Sequence, residues 1–403
     1  MLSCIRTEPA VSRPTNRSAL YADFSLQSVT AGLLTVLVSV ASSVVIVFEA
    51  ARRLGADQPQ ISSWMWALGL GLGLTCIGLS LRYRVPVVTA WSTPGAAMLA
   101  AGAGQLPLSD AIGAFMLASA LSALLGFSGL FARLMRLIPP PLAAGMLAGV
   151  LLHFGLGIFT TLQAQWLLPA SMLAAWLLGR RLLPRYAVLV SLLAGVLLCA
   201  GLGQLASGQL QLSLAMPQLT LPTLSLPAII GIALPLLVVT MASQNLPGVA
   251  TMQAAGYQPP VSPIIGWIGV VNLVLAPFGA FALNLAAITA AICLGPDAHP
   301  DQTKRYTAAI SAGLFYLLVG LLGASVAALL AALPVALIAC LAGISLLGTL
   351  GSALATAMAV EEQRNAALIA FLITASGVQL LGIGSAFWGL IGGGLTLWAL
   401  RRP

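Results

Sequence analysis

Apolar residues fill this chain in long runs separated by short polar stretches. The runs fall at about 28–50, 61–81, 85–100, 110–131, 140–160, 165–179, 186–205, 226–243, 262–276, 277–295, 306–326, 333–357, 366–381 and 384–400. About 20 apolar residues span the hydrocarbon core of a bilayer, so these fourteen runs predict an all-α polytopic membrane protein. Two runs do not read as simple helices. Val85-Pro-Val-Val-Thr-Ala-Trp-Ser-Thr-Pro-Gly-Ala-Ala-Met98 and Pro277-Phe-Gly-Ala-Phe-Ala-Leu-Asn-Leu-Ala-Ala-Ile-Thr-Ala-Ala-Ile-Cys293 each begin with strand-like or irregular residues. Each ends in a helical run of small residues. Two interruptions of this kind, one in each half of a membrane protein, point to a transporter's binding site. Ordinary helices kinked at Pro86 and Pro94 are the plainer reading, since prolines are common in membrane helices.

Charge distribution orders the runs. With the N-terminus inside and strict alternation, Arg82, Arg84, Arg133, Arg136, Arg180, Arg181, Arg185, Lys304, Arg305, Arg364, Arg401 and Arg402 fall on the cytoplasmic side, with Arg6, Arg13 and Arg17 of the leader. Only Arg52 and Arg53 fall outside, so 15 of the 17 basic residues obey the positive-inside rule. An even number of segments with both termini cytoplasmic is the consistent solution. Seven plus seven makes the halves inverted repeats, with the broken segments third and tenth, at equivalent positions. The stretch 206–225, rich in Pro, Gln and Ser, is the natural seam.

Composition narrows the function class. The chain has 403 residues, of which 60% are hydrophobic and 6% charged. No soluble domain hides that much apolar surface. The net charge of +8 is spread singly over short loops, which records membrane insertion rather than nucleic-acid binding. The cysteines Cys4, Cys76, Cys199, Cys293 and Cys340 have no metal spacing and read as small buried hydrophobes. Residues 1–20 lack the apolar core of a signal peptide and read as a cytoplasmic leader. Phosphate-binding loops, HExxH and nucleophile elbows are missing, so no enzyme is expected.

The candidate chemistry is a set of polar residues in apolar segments. Trp91-Ser-Thr-Pro-Gly95 looks like a helix start. Ser92 or Thr93 can cap, and Pro94 fits the first turn. A helix starting in mid-membrane directs unpaired N–H groups and a positive dipole end at the centre, which attracts an anion. Asn284 precedes a second such start at Ala286-Ala-Ile-Thr-Ala-Ala-Ile-Cys293. Gln244 and Asn245, near the end of the eighth segment, are costly if they face lipid. They either hydrogen-bond a substrate carboxylate or cap and bridge helices.

None of the nine acidic residues lies at the centre of a segment. A central charge costs about 2.5–3.5 kcal/mol on insertion scales, so the site is read as neutral and held by dipoles. One helix end contributes about 0.3–1 kcal/mol, and about 2 when partly buried. Binding a carboxylate therefore needs two helix ends and several side-chain donors. The proton-coupling candidates are Glu49, which also reads as an interfacial acid near Arg52 and Arg53, and His153, which also reads as a neutral histidine bonded between helices. His299 reads as a loop-ordering residue. Two separated histidines make no zinc site.

Four strings resemble the benzoate/proton symporter family, often called BenE. They are Tyr83-Arg-Val-Pro-Val-Val-Thr-Ala-Trp-Ser-Thr-Pro-Gly-Ala-Ala97, Val239-Thr-Met-Ala-Ser-Gln-Asn-Leu-Pro-Gly248, Ala287-Ile-Thr-Ala-Ala-Ile-Cys293 with Pro296-Asp-Ala-His-Pro-Asp301, and Gly382-Ile-Gly-Ser-Ala-Phe-Trp-Gly389. The resemblance runs from about residue 24 to the end. It implies uptake of an aromatic carboxylate with protons across a bacterial inner membrane, with no cofactor. It also implies a uracil-permease-like fold: fourteen segments in two inverted repeats, with segments 3 and 10 each a short strand plus a half-helix. On this chain the units become 1–23 leader, 24–138 core domain and 139–225 gate domain with linker, then 226–326 core domain and 327–403 gate domain.

The resemblance places the substrate near Ser42, Ser43, Thr89, Trp91, Ser92, Thr93, Gln244, Asn245, Phe281, Asn284 and Thr289. Trp91 or Phe281 would flank the ring. Uracil permeases carry acids in segments eight and ten, and this chain has Gln244 and Asn245 near the first place and no acid at the second. The expected function is proton-coupled symport of benzoate or a similar small aromatic carboxylate by alternating access. A same-fold transporter of another anion or a nucleobase is the alternative, and a passive anion channel is a third reading. The partners are the substrate and the lipid bilayer, with no nucleic acid. The oligomeric state stays open, a homodimer included.

Overall fold

The computed structural model describes residues 22–102, 106–131, 139–205, 213–286, 289–378, 380 and 385–400. The leader arginines, Arg133, Arg136, Arg401 and Arg402, together with Gly382–Gly384 of the fourth family-like string, lie outside the described residues. The described chain is mostly helical. In order it comprises α1 (Leu26–Arg53), α2 (Gln58–Tyr83), β1 (Thr89–Trp91), α3 (Thr93–Gly102), α4 (Leu108–Phe127), α5 (Pro140–Ala164), α6 (Leu167–Leu182) and α7 (Ala187–Gly201). The second part comprises α8 (Leu226–Gln253), α9 (Val261–Leu275), β2 (Leu283–Leu285), α10 (Ala290–Leu294), α11 (Tyr306–Leu321), α12 (Gly323–Ala331), α13 (Val335–Met358), α14 (Arg364–Ala375) and α15 (Ser385–Leu400).

Seven described helices are long and apolar enough to cross a bilayer: α1, α2, α4, α5, α8, α9 and α13. The pair α11 and α12, bent by 68°, makes an eighth if it is one span. The other apolar runs hold shorter helices or, at the third and tenth, a strand followed by a helix. One packed group joins α2 with α11, α1 with α11, and α4 with α9. Another joins α5 with α13 and α14, α14 with α15, and α6 with α7. Small residues let the backbones meet. A Cβ on Gly69 would lie 2.4 Å from the Gly320 Cα, and one on Gly145 would lie 2.3 Å from the Ala367 carbonyl oxygen. Lipid offers no hydrophobic drive between helices, so such close packing supplies the attraction.

The seam expected at 206–225 has more structure than a linker in its described part. Residues 213–225 run extended along neighbouring elements. The Ala215, Thr220 and Thr223 N–H groups donate to Leu321, Pro277 and Ser109. Ser63 Oγ accepts the Gln218 N–H, and the Thr223 hydroxyl donates to Asp110. Backbone polar groups near a bilayer need partners, and this strap finds them on the helices it crosses.

The eighth segment departs from the simple helix expected of it. It continues past Gly248, and two π turns, Ile229–Ala233 and Met241–Asn245, interrupt it. Each ends two residues before a proline, just ahead of Leu234-Pro235 and Leu246-Pro247. Proline lacks the N–H that the carbonyl four residues back would bind, and its ring crowds that carbonyl. A wider turn with i→i+5 bonding, from the Leu234 N–H to Ile229 and from the Leu246 N–H to Met241, relieves both problems.

Candidate substrate site

The two broken segments meet. β1 and β2 pair antiparallel, with Thr89 opposite Leu285, Ala90 opposite Asn284 and Trp91 opposite Leu283. Further bonds extend the pairing at both ends, Ser92 N–H to the Ala282 carbonyl at 3.0 Å and Ala286 N–H to Val88 at 2.9 Å. All six strand residues are buried. An unwound backbone in an apolar setting needs partners for its N–H and C=O groups; the two segments supply some to each other, and Cys76, Asn245 and Asn272 accept the Thr89, Leu285 and Leu283 N–H groups. The approach to β2 is sharply turned. Gly279 has φ 101°, and a Cβ there would lie 1.9 Å from the Trp64 ring. Ala282, at φ 43°, is a rare non-glycine left-handed residue.

Ser92 caps α3. Its Oγ accepts the Gly95 N–H at 3.0 Å, and its carbonyl accepts the first helical N–H, from Ala96, at 2.8 Å. The cap leaves the start of α3 beside the strand pair, as its sequence predicts. The second start is shorter than expected. Helix α10 begins at Ala290 and has five residues, and positions 287–288 lie outside the described residues. At its far end, the Arg305 guanidinium donates to the Leu294 carbonyl at 2.9 Å and to the His299 carbonyl at 2.8 Å. A cation there complements the negative end of the helix dipole.

Most of the expected ligand groups are committed to holding this crossing together. Trp91 Nε1–H donates to Ser43 Oγ at 2.9 Å, and its ring meets Tyr316 edge-on. The Thr89 hydroxyl pairs with that of Thr75 at 2.7 Å. Asn245 Oδ1 accepts the Leu285 N–H at 2.9 Å, so the eighth segment is bonded to the tenth. Asn284 Nδ2 donates to the Ala282 carbonyl, and its Oδ1 has no partner among the described residues. Phe281 lies apart, fully buried against Trp64 and Phe115 at ring distances of 5.6 and 5.8 Å. It has no free face for a substrate ring. Ser42 is half-buried and donates to the Ser39 carbonyl. Thr93, Gln244 and Thr289 are half-buried, and their side chains make no hydrogen bond among the described residues.

Helices α5 and α8 line two cavities, and no residue of β1 or β2 and none of the expected ligand residues is in the lining of either. The first, about 240 Å³, lies among the end of α3 (Met98, Leu99, Ala101, Gly102), α5 (Gly149, Val150, His153), the first π turn (Gly231, Ile232) and Thr374–Gly377 with Ser385. The second, about 290 Å³, lies among α5 (Ala143, Ala144, Leu147), the second π turn (Ala242, Ser243) and α13 (Thr349, Ser352, Thr356). Each π turn therefore opens onto one cavity. Sequence reasoning missed these turns, and the repeated Leu-Pro pairs were the available signal.

The two proton-coupling candidates separate. Glu49 is bound to Arg53 at 2.8 Å in an i,i+4 pair open to water. His153 lines the first cavity. The Asp301 carboxylate accepts from the Thr303 hydroxyl and N–H, which holds its pKa below the usual carboxylate range. His299 bonds the same turn, as a loop-ordering residue does. Among the described residues no group of His, Cys, Asp and Glu could hold a metal.

Paired discontinuous segments amid long apolar helices are the architecture of a membrane transporter. A family model described as "BenE: Benzoate membrane transport protein" matches residues 22–399. The chain belongs to this benzoate membrane transport protein family, whose members are transporters and not enzymes. It is 50% identical over 371 residues to the inner membrane protein YdcO of Escherichia coli K12, covering 92% of this chain and 95% of that protein. It is 41% identical over 381 residues to the benzoate membrane transport protein of Acinetobacter baylyi ADP1, covering 94% and 97%.

Two solved structures share the fold at low identity. One is the anion transporter SLC26A9, with TM-score 0.59 and 13% identity, covering 98% of this chain and 72% of that one. The other is the transmembrane domain of the cyanobacterial bicarbonate transporter BicA, with TM-score 0.53 and 14% identity, covering 92% and 98%. The uracil-permease-like fold implied by the sequence is consistent with both.

Proposed function

We propose that the protein is a secondary active transporter that takes up benzoate, or a similar small aromatic carboxylate, together with protons. The observation that carries this reading is the pairing of Ala90 with Asn284. It fixes the capped start of α3 beside the tenth segment, where a positive dipole end meets no fixed charge of either sign. The carboxylate lies at that start. Thr93, Gln244 and Thr289, half-buried and uncommitted, are the side chains that meet it, with Ser42 at the margin. Ser43, Thr89, Trp91, Ser92, Asn245 and Asn284 shape the site from behind. The relative from Acinetobacter baylyi, named for benzoate transport, supports the choice of substrate.

The chain crosses the bacterial inner membrane fourteen times in two inverted repeats of seven, with both termini in the cytoplasm. Segments 1–4 and 8–11 form the core domain, and segments 5–7 and 12–14 form the gate. The contacts of α5 with α13 and α14, and of α2 with α11, support that division. Alternating access comes from motion of the core against the gate, with the two cavities as alternate approaches. A thermal-shift screen of aromatic acids, nucleobases and inorganic anions tests the substrate assignment. Stabilisation by benzoate but not by uracil or bicarbonate is expected, and stabilisation by uracil or bicarbonate alone would overturn it.

A further inference from the structure

The carrier of the proton is the missing part of this symporter. The inference below rests on the function just proposed and goes beyond it by naming that group. Among the described residues, His153 is the one titratable side chain lining either cavity. Glu49 is held by Arg53 and lines neither.

Three features of that cavity suit a protonating imidazole. It holds about 240 Å³, room for several waters. Leu99, Ala101 and Gly102 of α3 share its wall with His153. Finally, Thr374 lines the cavity, is 4% exposed, and its Oγ1 has no hydrogen-bond partner among the described residues. A buried hydroxyl without a partner calls for water or a polar group in the cavity.

Among the described residues, no charged group other than His153 lines this cavity. Of the elements packed against α5, α13 carries only the Cys340 thiol, and α14 carries Arg364 at its start, bonded to the Met358 carbonyl. Helix α6 carries Arg180 and Arg181 in its last turn, while α3, α8 and the described part of α15 carry no titratable group. None of these charged groups lines the cavity.

We propose that His153 is the proton-carrying group of the symporter and that α3 couples it to the substrate. The anion sits at the N-terminus of α3, and the imidazolium lines the cavity that α3 shares with α5. Movement of α3 against α5 therefore alters both sites together. The imidazole takes a proton from cavity water on one side and returns it to water on the other, with no other bond made or broken. Helix α5 also lines the second cavity through Ala143, Ala144 and Leu147, so the helix that bears His153 borders both approaches.

Proteoliposomes loaded with wild type and His153→Gln test this. Two readouts are taken: accumulation of labelled benzoate driven by an inward proton gradient, and benzoate exchange at equal pH on both sides. Wild-type exchange should depend on pH. His153→Gln should exchange benzoate with a flat pH profile and lose about tenfold or more of the gradient-driven accumulation. Gradient-driven accumulation equal to wild type in His153→Gln overturns the proposal and leaves the transport function standing. If His153→Gln does not exchange benzoate, His153→Arg decides. Its permanent charge should permit pH-independent exchange, and loss of exchange in both variants overturns the proposal. Wild type that neither exchanges nor accumulates benzoate overturns the transport function itself.

Discussion

Asn245 on α8 holds the backbone N–H of Leu285 on β2 through a 2.9 Å hydrogen bond. This single contact ties the second π turn of the eighth segment to the strand of the tenth. The amide that its sequence position offered as a substrate donor is thus an acceptor for the protein's own backbone. Its Nδ2 is directed to Met241 Sδ, at 3.3 Å. Asn245→Ala should leave the Leu285 N–H buried without an acceptor, which costs about 1–3 kcal/mol. Thermal unfolding in detergent measures this, with a lower midpoint than wild type expected.

Gln244, its neighbour, faces the opposite test. The side chain is half-buried and makes no hydrogen bond among the described residues. Gln244→Ala should leave the unfolding midpoint near that of wild type and weaken benzoate uptake. Glu49→Gln should change uptake less than Gln244→Ala does, because it breaks only an exposed pair worth about 0–1 kcal/mol. Initial rates in proteoliposomes rank the two, and the reverse order would count against the site.

Ser92 tests the cap of α3. Replacing an N-cap serine by alanine costs about 0.5–2 kcal/mol, and by glycine only a few tenths. Ser92→Ala should therefore weaken benzoate binding by about two- to thirtyfold, taking 1.4 kcal/mol as one decade. Ser92→Gly should stay close to wild type. Equal losses in both would show that the hydroxyl acts on something other than the helix start.

Much of this arrangement was legible in the chain. Pro86 and Pro94 around a β-branched, aromatic stretch announced β1 and the start of α3. What the chain could not reveal is which polar side chains are used up internally. Trp91 with Ser43, and Thr89 with Thr75, are partners from different elements that only the fold brings together. Phe281 illustrates the same limit, since an aromatic beside a broken strand reads equally as ring-stacker or core, and Trp64 and Phe115 claim it. The π turns of α8 arise from prolines that a period of 3.6 residues does not register.

The loop before α11 gives a prediction about acid. Asp301 caps the turn Gln302–Lys304, which leads directly to Arg305 at the end of α10. Bonding to Thr303 lowers the Asp301 pKa from its ordinary value of 3.8. A lowered pKa contributes stability that is present above the unfolded value and lost as pH falls through the folded one. The protection of this loop against hydrogen exchange, taken relative to the intrinsic amide rate at each pH, should accordingly hold from neutral pH down to about 4 and fall below it. Asp301→Asn should lose that acid dependence.

Gly279 guards the approach to β2. Its φ of 101° and the Trp64 ring, 1.9 Å from where a Cβ would stand, exclude any side chain. Gly279→Ala should displace Trp64 or β2 and cost at least about 1–3 kcal/mol by overpacking. Lower yield of folded protein, read by size-exclusion chromatography, and weaker benzoate uptake are the expected signs.

The central claim is that the crossing of the third and tenth segments serves uphill, proton-driven movement of an aromatic carboxylate. The most direct measurement is uptake of labelled benzoate by wild-type proteoliposomes, acidic outside and neutral within, compared with an ionophore control that collapses the gradient. Protein-free liposomes subtract passive entry of the neutral acid. Protein-dependent accumulation above equilibrium that vanishes with the gradient is the predicted result. Protein-dependent uptake that ignores the gradient, or stops at equal concentrations on both sides, would contradict it.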